Sequence, residues 1–427
     1  VSEKRVLKAD WAFTATGDDL IPQAAVVLED NCISFVGPAS ELGESHINGA
    51  IVEELPGHTL MPGILDGHIH LTFTAGHTHP EVIDEISRET DMQQVVRTAA
   101  NAQKCLRAGL TTVRDLGGRR DVVPTVRDAI NQGRIAGPRI LSCNFPITVT
   151  GGHLHFVGWE ANEEWELRRA VRTIVKEGAD VVKICASGGN MTTESNPLMV
   201  QYSAEQLAVV VEEAHKLDTP VAAHAIPAES IRNCIEAGID TIEHCVWLGP
   251  DGGPAYDAEA MATAAAKGLT ASITLAGVFR GYLADAPQSE RIRENMGIQG
   301  PLEEERVQLF RNIWESGVNL IVSSDAGVRY TPPDEYYISL QCAVELLGIP
   351  EEEVLMMATR NPAKGLGVLD ERGTLEAGKV ADVIAVAGNP LADIKSMANV
   401  ALTLVGGKVM YRDGMIDAPR TTVLGEN

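Results

Sequence analysis

No two cysteines in this 427-residue chain are spaced as a CxxC pair. The seven that occur are scattered, at positions 32, 105, 143, 185, 234, 245 and 342. An odd, dispersed set excludes a disulfide framework. Several lie in apolar runs such as "VVKICASG" and "TIEHCVW", as expected of buried free thiols in a reducing compartment. Positive charge is also scarce, with 35 Lys and Arg against 59 Asp and Glu and a net charge of −24. Such a surface repels a polyanionic duplex or an anionic membrane, so neither nucleic acid nor lipid is an expected partner. The plainest role of the acidity is solubility. No apolar run reaches the roughly 18 residues of a membrane span. The opening "VSEKRVLKAD" is charged and has no apolar h-region, so no signal peptide is expected and the expected compartment is cytoplasmic. A chain that begins at Val1 leaves room for a trimmed upstream segment.

What is present is ordinary globular composition, 44% hydrophobic and 22% charged. The length suits one large domain with a smaller companion. Residues 1–56 carry short alternating runs ("VLKADWAFTA", "AAVVLEDNCISFVG"), and residues 369–427 carry similar ones ("GTLEAGKVADVIAVAGNP", "VALTLVGGKVMYRDG"). Both ends are therefore predicted to supply strands to one small β-sandwich domain. Between them, residues 57–368 alternate apolar strands with amphipathic helices. The segment after "ADVVKICASGG" opens on Ser203 with Gln206 three residues later, a capping-box pattern, and places Leu207, Val210, Val211 and Ala214 on one face. Strand candidates fall near 59–66, 110–116, 139–144, 179–185, 219–224, 239–244, 269–275 and 319–325. Eight such strands alternating with helices predict a (β/α)8 barrel. The competing doubly wound sheet would carry a glycine-rich phosphate fingerprint after its first strand, and "DGHIHLTF" is not GxGxxG.

Barrel chemistry sits at the C-terminal ends of the strands. The first strand brings His68 and His70, the fourth Lys183, the fifth His224, the sixth His244 and the eighth Asp325. Residues two apart on a strand point the same way, so His68 and His70 can reach one metal ion. Neutral imidazole and carboxylate suit zinc and similar divalent ions. Asp325 ends an apolar strand, where an unpaired charge is costly, and beside a metal it is paired. Lys183 cannot ligate as an ammonium. Buried near cations its pKa should fall, and the neutral amine can add carbon dioxide to form a carbamate able to bridge two metals. The bland alternatives are a polar turn for the histidine pair and an ion pair with Asp180 for the lysine.

"PGILDGHIH", "VKICASGG", "AAHA", "TIEHC" and "SSDAG", in this order, resemble the amidohydrolase superfamily. "ATRNPAKGLG" and "GTLEAGKVADVIAV" are similar to that family's return into its small β domain, so the likeness runs over nearly the whole chain. "TVTGGHLHF" and "YSAEQL" most resemble its dipeptidase and carboxypeptidase branch, the prolidase-like and Xaa-Arg-like enzymes. The resemblance implies a binuclear centre with two divalent ions, zinc foremost. His68, His70 and Asp325 would hold one ion, His224 and His244 the other, and carbamylated Lys183 would bridge them. A hydroxide between the metals would attack the scissile carbonyl, and Asp325 would carry its proton to the leaving amine. The branch also implies that His153 and Tyr202 touch the substrate's carbonyl or carboxylate.

The expected activity is hydrolysis of an amide or peptide-type C–N bond in a small molecule, a dipeptide or N-acyl amino acid. A neutral amide, carbamate or arylurea, xenobiotics and mycotoxin amides included, is the alternative. Deaminases of the superfamily usually carry a glutamate three residues after the strand-five histidine and lack the strand-four lysine. Here that position is Pro227, and Lys183 is present. Cyclic-amide hydrolases often place an acid where this chain has Ile226. A metal-free scaffold would have lost ligands, and all six are kept. Candidate partners for a substrate carboxylate are Arg329, His153, Arg119 and Arg120, although "NFPITVTGG" lacks an arginine that branch members carry. His77, His79 and His155 are further pocket candidates. The family's habit predicts a homo-oligomer.

Overall fold

The structure, a computed structural model, describes residues 4–17 and 20–416. The outermost residues assigned to the small domain, 1–3 and 417–427, lie outside the described residues. The chain ends meet in one eight-stranded sheet. Its N-terminal half comprises Ile51–Pro62, Lys4–Phe13, Leu20–Glu29 and Cys32–Pro38, and its C-terminal half Val383–Ala387, Val400–Val405, Lys408–Arg412 and Met415–Ile416. The halves join where Met61 pairs with Ile384 in antiparallel register. Leu7, Val26, Leu28, Leu60, Val383 and Leu404 form the core of this layer.

Eight parallel strands build the barrel: Ile64–Ile69, Leu110–Asp115, Arg139–Ser142, Val182–Cys185, Val221–Pro227, Thr241–Leu248, Thr270–Thr274 and Asn319–Ser323. The fourth to eighth strands pair successively in one sheet and the first three in another. The ring closes where Asp325 N donates to His68 O at 2.9 Å and His70 N donates to Ala326 O at 2.7 Å. Both expected architectural parts, barrel and two-ended β layer, are present. The first barrel strand differs in placement from the 59–66 expected. Residues 59–62 belong to the terminal sheet, in a strand that spans the expected 56/57 boundary, and the barrel strand starts only at Ile64. Pro62-Gly63 makes the break. A Cβ on Gly63 would lie 2.2 Å from the Thr111 hydroxyl, so only glycine lets the chain pass this close to the second strand.

The helices obey the local rules that predicted them. Ser203 accepts from Gln206 N and caps Ala204–His215, whose buried face holds Leu207, Val210, Val211 and Ala214. No helix among the described residues is long and apolar enough to cross a membrane. Between the seventh strand and the helix Glu304–Glu315 the chain makes a long excursion through short helices at Ala276–Phe279 and Ser289–Met296. This excursion, which no sequence signal marked, roofs part of the C-terminal mouth of the barrel.

Candidate metal centre

Each predicted ligand stands on a barrel strand or just past its end, and all of them line one cavity of about 320 Å³. His68 and His70 lie two residues apart at the end of the first strand, both aimed inward. His70 Nε2 is 3.3 Å and His68 Nε2 3.5 Å from Asp325 Oδ1. One donor atom from each of these three residues falls within 4.8 Å of the other two. His244 follows, its ring centroid 4.9 Å from that of His68, then His224 at 4.6 Å from His244. His153 continues the series, 4.4 Å from His224.

The outer nitrogens are already committed, which decides the inner ones. His68 Nδ1 donates to Glu243 Oε2 at 2.9 Å, and His70 Nδ1 donates to the Gly117 carbonyl at 2.8 Å. Carboxylates and carbonyls only accept, so both Nε2 atoms are left bare and point at Asp325. His224 is turned the other way, Nε2 donating to Gly188 O at 2.8 Å, so its bare atom is Nδ1. His244 Nδ1 meets Thr274 Oγ1 at 2.8 Å. Four imidazoles held in this manner are oriented for a divalent ion before it arrives.

Glu243 and Arg114 form a buried ion pair beneath the histidines, Arg114 Nη2 to Glu243 Oε1 at 2.7 Å. Arg114 also donates to Gly67 O at 2.7 Å and to the Thr241 hydroxyl at 3.2 Å. Glu243 and His244 are sequence neighbours, yet both serve the centre. The backbone at His244 has φ 67°, a left-handed conformation costly for a non-glycine residue, and it breaks the alternation of the strand there. Asp325 is left-handed as well, with φ 54°. Sequence reading missed Glu243 and Arg114. The available signal was an acid in one apolar strand, Glu243 of "TIEHC", and an arginine in another, Arg114 of "TTVRDLG", which a buried pair explains.

Burial, reinforced by neighbouring positive charge, holds His68, His153, His224 and His244 well below the ordinary imidazole value. They are neutral, the form that ligates. Burial also lowers His70, but Asp325 and Asp115 outweigh it and raise the ring. For Asp325 burial works upward, yet His68, His70 and Lys183 together bring the carboxyl below its usual range. Lys183 is 1% exposed, and its Nζ has no hydrogen-bond partner. Burial lowers its pKa despite the pull of Glu243. The ion pair with Asp180 does not form, because Asp180 is engaged by Arg127 at 2.8 Å and by Ser142 N at 2.9 Å.

An orphaned buried amine, bare imidazole nitrogens and an ionised carboxylate form a donor set that fits divalent metal. A family model described as "Amidohydrolase family" matches residues 59–410. The chain belongs to the amidohydrolase family. As such it is a metal-dependent hydrolase acting on C–N bonds. Among amidohydrolases of known activity, the ochratoxinase of Aspergillus niger is 29% identical over 431 residues, covering 92% of this chain and 84% of the relative. A crystal structure of A. niger ochratoxinase superposes with a TM-score of 0.81 at 25% identity, covering 99% of each chain. A Xaa-Pro dipeptidase crystallised with methionine in its active site superposes equally well, TM-score 0.81 at 29% identity, over 96% of this chain and 100% of that one.

The remaining expected residues of this amidohydrolase divide cleanly. His153, Arg329 and His79 line the cavity. Tyr202 does not reach it. Its ring is packed in the barrel core at 1% exposure, and its hydroxyl donates to Ala161 O at 2.7 Å. Tyr202 immediately precedes the cap residue Ser203, and this entry into the helix turns its side chain away from the mouth. Arg119 is tied to Asp91 at 3.0 Å and Arg120 to Glu177 at 2.8 Å, both away from the cavity, and His77 and His155 are outside it too. Arg306, on the helix Glu304–Glu315, lines the cavity without any sequence signal, being one charge among many on an exposed amphipathic helix.

Proposed function

We propose that this amidohydrolase cleaves the amide bond of a dipeptide or N-acyl amino acid at a binuclear centre. His68, His70 and Asp325 would hold one divalent ion, His224 and His244 a second, and Lys183, carbamylated, would lie between them. The observation that carries this reading is Lys183, a buried amine without a partner amid four oriented imidazoles and a carboxylate. An ammonium enclosed there costs several kcal/mol, whereas a neutral amine is free to react with carbon dioxide. When bound, the ions supply Lewis-acid polarisation and a water whose pKa falls to about 7.

The protein's own groups do the rest. Asp325, held below the usual carboxylate range despite burial by its pairing with His70, is ionised and free to take a proton and pass it to the leaving amine. His153, neutral and buried on the cavity wall beside His224, donates a hydrogen bond to the substrate carbonyl. The apolar residues on the cavity wall lower the local dielectric, which strengthens both interactions. Zinc suits the mixed nitrogen and oxygen donors best.

Metal analysis of protein purified without added metal should return close to two ions per chain, and well under one would sink the binuclear reading. A hydrolysis screen over Xaa-amino-acid dipeptides, N-acyl amino acids and arylureas tests the substrate class. Turnover confined to carboxylate-free amides and ureas would remove the peptidase-like reading.

A further inference from the structure

The cavity above the metal centre has an unusual distribution of charge. Its walls are apolar, formed by Leu154, Met191, Ile226, Val278, Phe279 and Phe310. Its one acidic residue is Asp325, which lies on the floor among the imidazoles. Two arginines, Arg306 and Arg329, also face it, and neither has a hydrogen-bond or ion-pair partner among the described residues. Arginines outside the cavity are engaged by contrast: Arg119 with Asp91, Arg120 with Glu177, Arg280 with Glu335, and Arg293 with the Gly281 and Gly300 carbonyls. In a chain with 59 acidic and 35 basic residues, two unpaired guanidinium groups at one cavity call for a counter-charge from outside.

The local electrostatics agree. Arg329 is half-buried, and the loss of water lowers its pKa, with Tyr330 the only group opposing the fall. A cation desolvated without a partner is destabilised until an anion joins it. His79, beside Arg329, is held down at about 4 by burial and by the arginine itself, so it stands neutral and adds no second cation. Its Nδ1 is fixed on Asn190 O at 2.9 Å. The planar fork of a guanidinium matches a carboxylate in two-point contact.

We propose that Arg306 and Arg329 form the anion subsite of this cavity and restrict it to amides carrying one free carboxylate and one bulky apolar acyl group. The carboxylate docks between the arginines, the apolar group lies against Phe279 and Phe310, and the amide is thereby placed over the metal-binding histidines. The two arginines determine specificity and take no part in bond breaking. The inference rests on the C–N hydrolase reading above and narrows its substrate.

The test compares N-benzoyl-L-leucine with N-(3-methylbutyl)benzamide, which keeps the amide and both apolar ends and lacks only the carboxylate. On the metal-loaded, unaltered enzyme kcat and KM are measured for each probe, and binding of a probe that is not turned over is measured by calorimetry. The acid should bind on the order of a hundredfold more tightly than its neutral analogue. The double variant Arg306→Met/Arg329→Met should bring the two to near parity through KM for the acid, and Arg306→Lys/Arg329→Lys should restore part of the difference. Thermal unfolding of each variant checks that the fold is kept. Equal or absent binding of the two probes, or discrimination that survives the double methionine variant, overturns the subsite. Preferential binding of the acid without turnover of either probe would sink the hydrolysis of such amides and leave the subsite standing.

Discussion

The two sides of the metal centre are assembled by different means. The side built from the first and eighth strands is closed by backbone. Asp325 N bonds to His68 O, and His70 N bonds to Ala326 O. Asp66 sits beneath them and accepts from the Ser324 hydroxyl and from the backbone N–H groups of Ser324 and His68. Here polypeptide alone supplies three converging donor atoms. The side built from the fourth, fifth and sixth strands has two imidazoles, anchored on Gly188 and Thr274, and a lysine anchored on nothing. The first side is a finished ligand set, and on the proposed reading the second is finished only when carbon dioxide converts the amine into an acceptor. The first side should therefore tolerate loss of the second better than the reverse.

The largest effect is expected from Asp325→Asn, which on the proposed reading removes both a ligand and the proton carrier. Activity should fall by about a thousandfold or more while the circular dichroism spectrum is unchanged. Retained turnover would refute the shuttle role. Lys183→Ala attacks only the second side. Metal content should drop from near two ions to near one and activity on the order of a hundredfold, with partial recovery in high concentrations of a short aliphatic carboxylate that fills the vacated space. If the variant keeps two ions per chain without added carboxylate, the bridging role is wrong.

A smaller change tests the support under the first side. Glu243→Gln leaves the Arg114 guanidinium buried without its carboxylate, a loss of about 3–5 kcal/mol of stability. His68 loses its charged acceptor at the same time, weakening metal affinity roughly 10- to 100-fold. Adding Arg114→Met should recover stability without recovering metal affinity, and urea melts together with metal titrations separate the two.

The smallest effect is one of pH. Burial pushes the Asp66 carboxyl up to about 7, the Ser324 hydroxyl opposing it only in part. The folded state therefore favours the protonated acid. Its contribution to stability is full below about 4, the unfolded value, and is lost as pH rises through about 7. Asp66→Asn keeps a neutral group at that site, so the metal-free variant should show a flatter decline of melting temperature between pH 4 and 7 than the metal-free parent. An unchanged slope would show that Asp66 does not titrate there.

Much of this was legible before any coordinates. The eight strands and the capped helix at Ser203 follow from local periodicity, and the six residues that line one cavity were picked out by standing at strand ends. The exceptions have physical causes. Tyr202 was expected to touch substrate on the resemblance of "YSAEQL" to the dipeptidase branch, but a side chain's direction at a helix entry is set by packing. Glu243 was hidden behind His244, since strict alternation would send neighbours to opposite faces, and only the left-handed backbone at His244 lets both serve. Arg306 belongs to a helix whose charges look alike until one of them is found facing the cavity.

The sequence by itself thus determined the barrel, its two-ended β layer and the candidate ligands His68, His70 and Asp325 that the fold brings together, because strand and helix periods and residue chemistry are local properties. Only the tertiary structure decided which imidazole nitrogen faces the centre, that an ion pair lies beneath it, and that two unpaired arginines share its cavity. Those are distances between groups far apart in the chain, set by how the strands close and the loops pack.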